Sequence, residues 1–357
     1  MEPERTVIGV DIGGTKIAAA RLRGRLPAPG ARSAAEVGAP RILERHVLPT
    51  DTASAQACLD GIIACIGALG GGRAPGETGG PAGGGPAEAI GVGVASMVDF
   101  ARGRAVASVN LPLNDVPLRD VLRERFGVPV VVDNDANVAA LGEHLYGAGV
   151  GAGEMLMLTL GTGVGGGIIC GGRLFRGSSG AAAELGHIVI DSDGPTCPAG
   201  CPNHGCLEAY VAGPAIGAAA LAAAQAQPGS ALGRALAASR AVDGPLLTEL
   251  GQDGDPVAIA VLTRVGEYLG VGLTTLVNIF NPELVVVGGG AAAAGELLLE
   301  PARRVLAARA LAPARDQVRV VPAALGADAG FIGAAALALA ELAPASGPFL
   351  TSPPPYR

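Results

Sequence analysis

The chain has 357 residues, enough for about two domains and a sizeable core. Its net charge of -7 and the lack of any basic run exclude a nucleic-acid surface, which needs clustered Lys and Arg. Hydrophobic residues are 49% and charged residues 16%, with no Trp and 3% aromatics, so the apolar mass is Ala, Val, Leu and Ile; 57 Gly and 27 Pro bring the chain near the ~25–30% level of disordered segments.

Residues 7–22 (VIGVDIGGTKIAAARL) read as strand, Gly13–Gly14 turn and strand. The strand begins within a few residues of Met1, which leaves no room for a signal peptide, so a cytoplasmic chain is expected. Residues 27–40 and 70–86, the latter with nine Gly and three Pro, read as flexible loops. Between and after them come a helix Ala53–Leu69, a strand Ala89–Val94, a helix Leu118–Phe126 and a buried strand Val128–Val132. That strand ends in Asp133-Asn134-Asp135-Ala136-Asn137 before a helical VAALGEHL. A polar cluster there lies at the carboxyl edge of a sheet, where α/β folds keep their sites.

Residues 156–175 repeat the layout of the first hairpin, and aligning Asp11 with Thr159 puts Gly13 on Gly161 at a separation of 148 residues, as an internal duplication would. Next come cysteines at 197, 201 and 206, Ala-rich helices to about Leu276, a strand Glu283–Val287, glycines 288–290, another helix, a strand Gln317–Val321 and a final helix from about Ala329. The tail 345–357 reads as frayed. The alternation gives an α/β class. Two uncharged stretches approach membrane length, but seven Gly in 155–172, and Pro214 and Pro228 in 209–233, argue against spanning helices.

In DIGGTK, Gly13 and Gly14 would let backbone N–H groups approach a phosphate, Thr15 offers a hydroxyl, Lys16 a cation, and Asp11 a hold on Mg2+ through water. The alternative is a tight turn needing positive φ. Gly161-Thr162-Gly163-Val164-Gly165-Gly166 fits GxGxxG, yet a dinucleotide site requires a following helix, and Ile168, Ile169 and Cys170 continue as strand. Glu184 does not rescue that reading; a second phosphate-approaching hairpin fits better. Cys58, Cys65 and Cys170 stand alone in apolar surroundings, as inert thiols do.

DIGGTK, SVNLPLNDVPL (108–118), VVDNDANVAALGE (131–143), TLGTGVGGGII, the ELGH of 184–187 and the GCLEAY of 205–210 stand in an order that resembles the ROK-family sugar kinases. The family joins bacterial glucokinases, fructokinases and N-acetylhexosamine kinases to sugar-responsive repressors. The resemblance covers about residues 6–340 and implies an actin-like ATPase (ribonuclease-H-like) fold with two lobes around an ATP and sugar cleft. The lobes would be about 1–136, with the helix 328–344 packing back on it, and 137–327. Domain closure would exclude water from the reaction.

By that resemblance Asp135 is the general base that takes the acceptor hydroxyl's proton, with Asp133 the competing candidate. Glu184, His187 and Glu208 match the family's sugar clamp, Asn134 its amide contact to the sugar, and Asn110 would line the same cleft. Gly161, Thr162 and Gly163 match its second phosphate hairpin, and Gly288 and Gly289 its adenosine contact. As alternatives, Glu184 would cap a helix and Glu208 lie on a solvated helix face. His187, Cys197, Cys201 and Cys206 supply one imidazole and three thiolates, a structural Zn2+ set. The family spaces its first two cysteines as CxC, and two extra residues here leave His204 as a substitute for Cys197. His187 would give one ring nitrogen to zinc and turn the other to the sugar.

The expectation is an ATP:hexose 6-phosphotransferase, a glucokinase, using ATP, Mg2+ and structural Zn2+, with no nucleic-acid or membrane partner, and assembling as a homo-oligomer, dimer or tetramer. The alternatives are an N-acetylmannosamine or N-acetylglucosamine kinase or a fructokinase, with Met97 able to reshape the pocket at the sugar 2-position. From another class comes a non-catalytic sugar-sensing regulator. ROK repressors carry an N-terminal winged helix-turn-helix, whereas six residues precede the first strand here.

Overall fold

The computed structural model describes residues 3–28, 31, 34–71, 86–198 and 200–343. Most of the glycine-rich insert, part of the first loop and the tail 345–357, all expected to be flexible, lie outside the described residues.

The elements in chain order are β1 (Arg5–Ile12), β2 (Lys16–Gly24), α1 (Ala34–Val37), β3 (Arg41–Pro49), α2 (Ala55–Ala68), β4 (Ile90–Val94), β5 (Met97–Asp99), β6 (Arg104–Ala107), α3 (Leu118–Phe126), β7 (Val130–Asn134) and α4 (Asp135–Tyr146). There follow β8 (Met155–Leu160), β9 (Val164–Cys170), β10 (Arg173–Leu174), α5 (Glu208–Val211), α6 (Gly213–Ala226), α7 (Ala231–Ala237), α8 (Gly244–Gln252) and α9 (Pro256–Phe280). The last are β11 (Leu284–Gly288), α10 (Glu296–Arg309), α11 (Ala314–Gln317), β12 (Arg319–Pro322) and α12 (Ala329–Leu342). The chain divides into two compact units, Met1–Gly153 with Gly167–Ala183 and Ala324–Arg357, and Glu154–Gly166 with Glu184–Ala323.

In the first unit the sheet runs β3–β2–β1–β4–β7, with β1 antiparallel to β2 and parallel to β4. One face buries Ile8, Val10 and Ile12 under Ile62 and Ile66 of α2 and Leu118, Leu122 and Phe126 of α3. Each such fully buried aliphatic contributes about 2 kcal/mol of apolar transfer. The other face carries α12, whose alanines lie directly on the sheet: any Cβ at Gly9 would collide with Phe331 O, and any at Gly91 with Ala334 O. Gly9, Gly91 and the alanines of α12 thus serve close packing of helix on strand.

The break in the chain falls after Gly153 instead of near residue 136, because α4 belongs to the first unit's core. Gly142 of α4 and Gly333 of α12 let their helix backbones meet; a Cβ at Gly142 would stand 2.8 Å from Ala329 O. Three further elements differ from expectation. Residues 34–37 of the expected loop form the short α1, β3 is an edge strand, and β5 pairs with β6.

The second sheet runs β10–β9–β8–β11–β12. Gly288 ends β11, and a 3-10 turn at Gly290–Ala294 precedes α10. Gln317 closes α11 instead of opening β12. By length and composition α9 is the one helix among the described residues able to cross a membrane. Its apolar stripe is occupied by α10: a Cβ at Gly270 would lie 2.6 Å from Ala302 O, which reads as a core helix.

Candidate active site

In the first unit, the β1–β2 turn holds Gly13, Gly14 and Thr15, closed by Gly13 N–H donating to Lys16 O at 3.0 Å. Thr50, which sequence reasoning did not single out, braces it from β3's end through Oγ1 donating to Gly13 O at 2.7 Å. Gly13 and Gly14 do not have positive φ, so the tight-turn explanation for these glycines falls away. A Cβ on Gly13 would meet nothing nearer than Lys16 O at 3.5 Å, while one on Gly14 would stand 3.0 Å from Asn110 Cβ. Asn110, expected on the sugar side, therefore lies beside this turn.

Asp11 precedes the turn. Burial, then the nearby Asp135 carboxylate, push it up to about 7, and Lys16 pulls the other way. Its carboxylate fits against α12 only because residue 330 is glycine. Ionising Asp11 next to Asp135 calls for a cation, which is the chemistry a magnesium-bound phosphate brings.

Asp133 and Asp135, indistinguishable by type, part company in the fold. Asp133 is buried, taking Arg176 Nε on Oδ2 at 2.7 Å and Asn134 N–H and Asn137 Nδ2 on Oδ1 at 2.8 and 3.1 Å. Asp135 is half-buried and is the first helical residue of α4. Asn134 caps that helix, its Oδ1 accepting from the N–H groups of Ala136 and Asn137 at 2.9 and 3.0 Å. Its Nδ2 donates to Asp135 Oδ1 at 3.0 Å and to Ser96 O at 3.2 Å, so both ends of the amide are engaged and Asn134 aims the Asp135 carboxylate.

In the second unit, Gly161 N–H donates to Gly163 O at 2.9 Å, and Gly161 O accepts from Gly213 N–H at the start of α6 at 2.8 Å. Gly161 again lacks positive φ, and a Cβ there would touch nothing closer than 4.0 Å. Thr162 at the tip is exposed. Glu208 is buried, 4% exposed, and its Oε2 accepts Val164 N–H at 2.7 Å; a solvated helix face is thereby excluded. Gly288 pairs with Thr159 on β8, so the 288–290 glycines abut this hairpin. Gly289 needs to be glycine for the fold itself, with φ at +85 and a Cβ position only 2.5 Å from Leu160 N.

Glu184 precedes a single 3-10 turn, Leu185–His187, that ends in His187, and the Glu184 side chain makes no cap bond there. His187 Nδ1 lies 3.4 Å from Cys197 Sγ, while Nε2 points to the other side, 3.9 Å from Glu184 Oε2. Burial and the neighbouring Glu208 raise the Glu184 carboxyl, and His187 opposes the rise. The ligand atoms of His187, Cys197, Cys201 and Cys206 all lie within 4.8 Å of one another. His204 is not part of this group; its Nδ1 faces Thr196 Oγ1 at 3.5 Å. Burial and the Cys197 and Cys201 thiols push Cys206 up to about 12, so three thiolates share this space only around a cation. The donor set fits a tetrahedral metal.

Sequence reasoning passed over Arg176, Thr50 and Gly330. Only Arg176 left a trace, as the lone charge between Leu174 and Ala183.

A model of the ROK family matches residues 83–341. A glucokinase of Streptomyces coelicolor is 37% identical over 338 residues, covering 93% of this chain and 96% of that protein. Two solved structures are also 37% identical. One, a ROK glucokinase of Streptomyces griseus in complex with glucose and AMPPNP, covers 93% of this chain and 99% of its own at a TM-score of 0.77. The other, a ROK hexokinase of Thermus thermophilus, covers 94% and 99% at a TM-score of 0.67.

Proposed function

The chain belongs to the ROK family, and on that premise we propose that it is an ATP-dependent glucose kinase, transferring the γ-phosphoryl group of Mg-ATP to the sugar 6-hydroxyl. The observation that carries the reading is the division of labour between two neighbouring carboxylates. Asp133 is consumed by Arg176, the Asn134 N–H and the Asn137 side-chain amide, whereas Asp135, half-buried, is held by Asn134 at the start of α4. Asp135 is assigned as the base that takes the proton of the attacking hydroxyl.

Within the first unit, the Gly13–Lys16 turn takes nucleotide phosphate, and Asp11 holds Mg2+ through water, neutralising charge that builds during transfer. Asn110 and Asn134 stand with Asp135 as sugar-side residues, Asn134 chiefly by orienting the base. Within the second unit, the Gly161–Gly163 hairpin and the Gly288–Gly289 turn serve the nucleotide. Glu184, His187 and Glu208 select the sugar, since carboxylates that each accept two hydrogen bonds bridge vicinal hydroxyls. His187, Cys197, Cys201 and Cys206 would hold Zn2+, whose chemistry here is structural: it fixes His187's tautomer and leaves Nε2 for the sugar. Met97, 45% exposed at the start of β5, is the residue to test for acceptance of a 2-substituent. The reaction is placed in the cytoplasm, and a homo-oligomer, dimer or tetramer, is the expected assembly.

A coupled assay with ATP over glucose, mannose, fructose, N-acetylglucosamine and N-acetylmannosamine tests this. Glucose is expected to give the highest kcat/KM by about tenfold or more, roughly 1.4 kcal/mol of discrimination. An N-acetylhexosamine ahead of glucose would move the assignment to that kinase class. Sugar binding without turnover of any of them would leave a sugar-sensing regulator in place of the enzyme.

A further inference from the structure

Arg176, on the loop after β10, is 3% exposed, and its partner Asp133 is 2% exposed. The guanidinium carbon lies 3.7 Å from the ring centroid of Phe100, and Nη1 and Nη2 are buried with no hydrogen-bond partner among the described residues. An ion pair so placed is a poor device for stability. Its desolvation is repaid only by full hydrogen bonding, and apolar residues of similar volume would hold the core as well.

What the pair supplies is position. Asp133 carries Asn134 N–H and Asn137 Nδ2 on its other oxygen, so Arg176 fixes the end of β7 where α4 begins. Phe100, beneath the guanidinium, directly follows β5, and Ser96, whose carbonyl accepts Asn134 Nδ2, directly precedes β5. Gly180, with φ at +88, presses the arginine's own loop against Val98 O of that strand. Arg176 thus grips both segments that meet at the Asn134 amide, the amide that also donates to Asp135 Oδ1.

We propose that Arg176 is a positioning residue for the phosphoryl-transfer base, a role that rests on reading Asp135 as that base. Loss of the grip lets the carboxylate wander from its attack geometry, and a displacement near 1 Å costs up to about a hundredfold in rate.

The test compares the parent with Arg176→Met/Asp133→Asn, Arg176→Lys and Asp135→Asn. The double variant removes both buried charges together, so its thermal midpoint should stay within about 4 °C, a change near 1 kcal/mol or less. Its kcat is expected to fall about thirtyfold with KM for glucose and for ATP within about threefold, a split that loss of stability alone would not produce. Arg176→Lys keeps the charge without the planar fork or the ring stack, and is expected to lose about fivefold. A kcat within about threefold of the parent in the double variant overturns the role. Should the double variant not fold, a loss under about twofold in Arg176→Lys overturns it instead. Turnover surviving in Asp135→Asn would sink the base reading itself, whereas an inactive Asp135→Asn beside a fully active double variant would sink only the positioning role.

Discussion

The two five-stranded sheets share one strand order, with a hairpin pair, an antiparallel outer strand on one side and two strands joined in parallel on the other: β3–β2–β1–β4–β7 and β10–β9–β8–β11–β12. Their hairpins begin with Asp11 and Thr159, 148 residues apart. The scaffold repeats, and the charge does not. The first turn is bracketed by Asp11 and Lys16, with Asp135 close enough to raise Asp11, whereas 161–166 has no ionisable side chain and is instead tied down by Glu208 and Gly213. One strand layout therefore carries ionisable side chains around the first turn and none in the second.

Exchanging the roles of the two hairpins is the strongest way to break this contrast. Asp11→Asn is expected to lower kcat about a hundredfold or more at saturating Mg2+, while Thr159→Val at the matching position costs under about fivefold. Equal losses would erase the distinction. Asp11 also gives a pH signature. Its folded pKa, about 7, lies above the ordinary 3.8, so ionising it opposes folding as pH rises through that window. Asp11→Asn should thus raise the thermal midpoint of the ligand-free protein by about 2 °C or more at pH 8 and little at pH 4, where the folded carboxyl is protonated and the unfolded one is only about half ionised. A gain confined to pH 4 would reverse the sign and refute the assignment.

Next in size is metal removal, which should act through the second unit alone. Chelation or Cys201→Ser is expected to raise KM for glucose about tenfold and lower the midpoint, with KM for ATP within about twofold, because a loosened His187 affects sugar recognition. Metal-free protein with parent-like sugar KM would detach the metal from catalysis. Cys197→Ser, measured by zinc stoichiometry, checks the fourfold ligand set; unchanged zinc content would remove Cys197 from it.

The smallest effects concern the glycines. Gly13→Ala and Gly161→Ala meet no clash and have ordinary φ, so midpoints should stay within about 1 °C while KM for ATP rises about fivefold to tenfold. Gly289→Ala should do the opposite, destabilising by about 1–3 kcal/mol through a positive φ and a collision with Leu160. Parent-like ATP affinity in the first two variants would return those glycines to being simple turn residues.

Hairpins, the strand to Asp133 and the cysteine cluster were legible in the sequence because each rests on a local pattern: apolar runs broken by glycine, or thiols at metal spacing. β3 escaped notice as an edge strand whose exposed and half-buried residues mix, and α1 is too short to leave a periodicity. The extent of the first unit escaped because Gly142 and Gly333 meet across nearly 200 residues of chain. The choice between Asp133 and Asp135 came only through the family resemblance; what separates their surroundings in the fold is Arg176, 43 residues away from Asp133, which no local spacing announces.

Asp135→Asn tests the central claim most directly, read by calorimetric binding of glucose and of a non-hydrolysable ATP analogue alongside kcat. The account predicts both affinities within about threefold of the parent and kcat reduced about a thousandfold or more, since removing the base leaves binding intact and strands the hydroxyl proton. A variant that binds normally and turns over within about tenfold of the parent would contradict it.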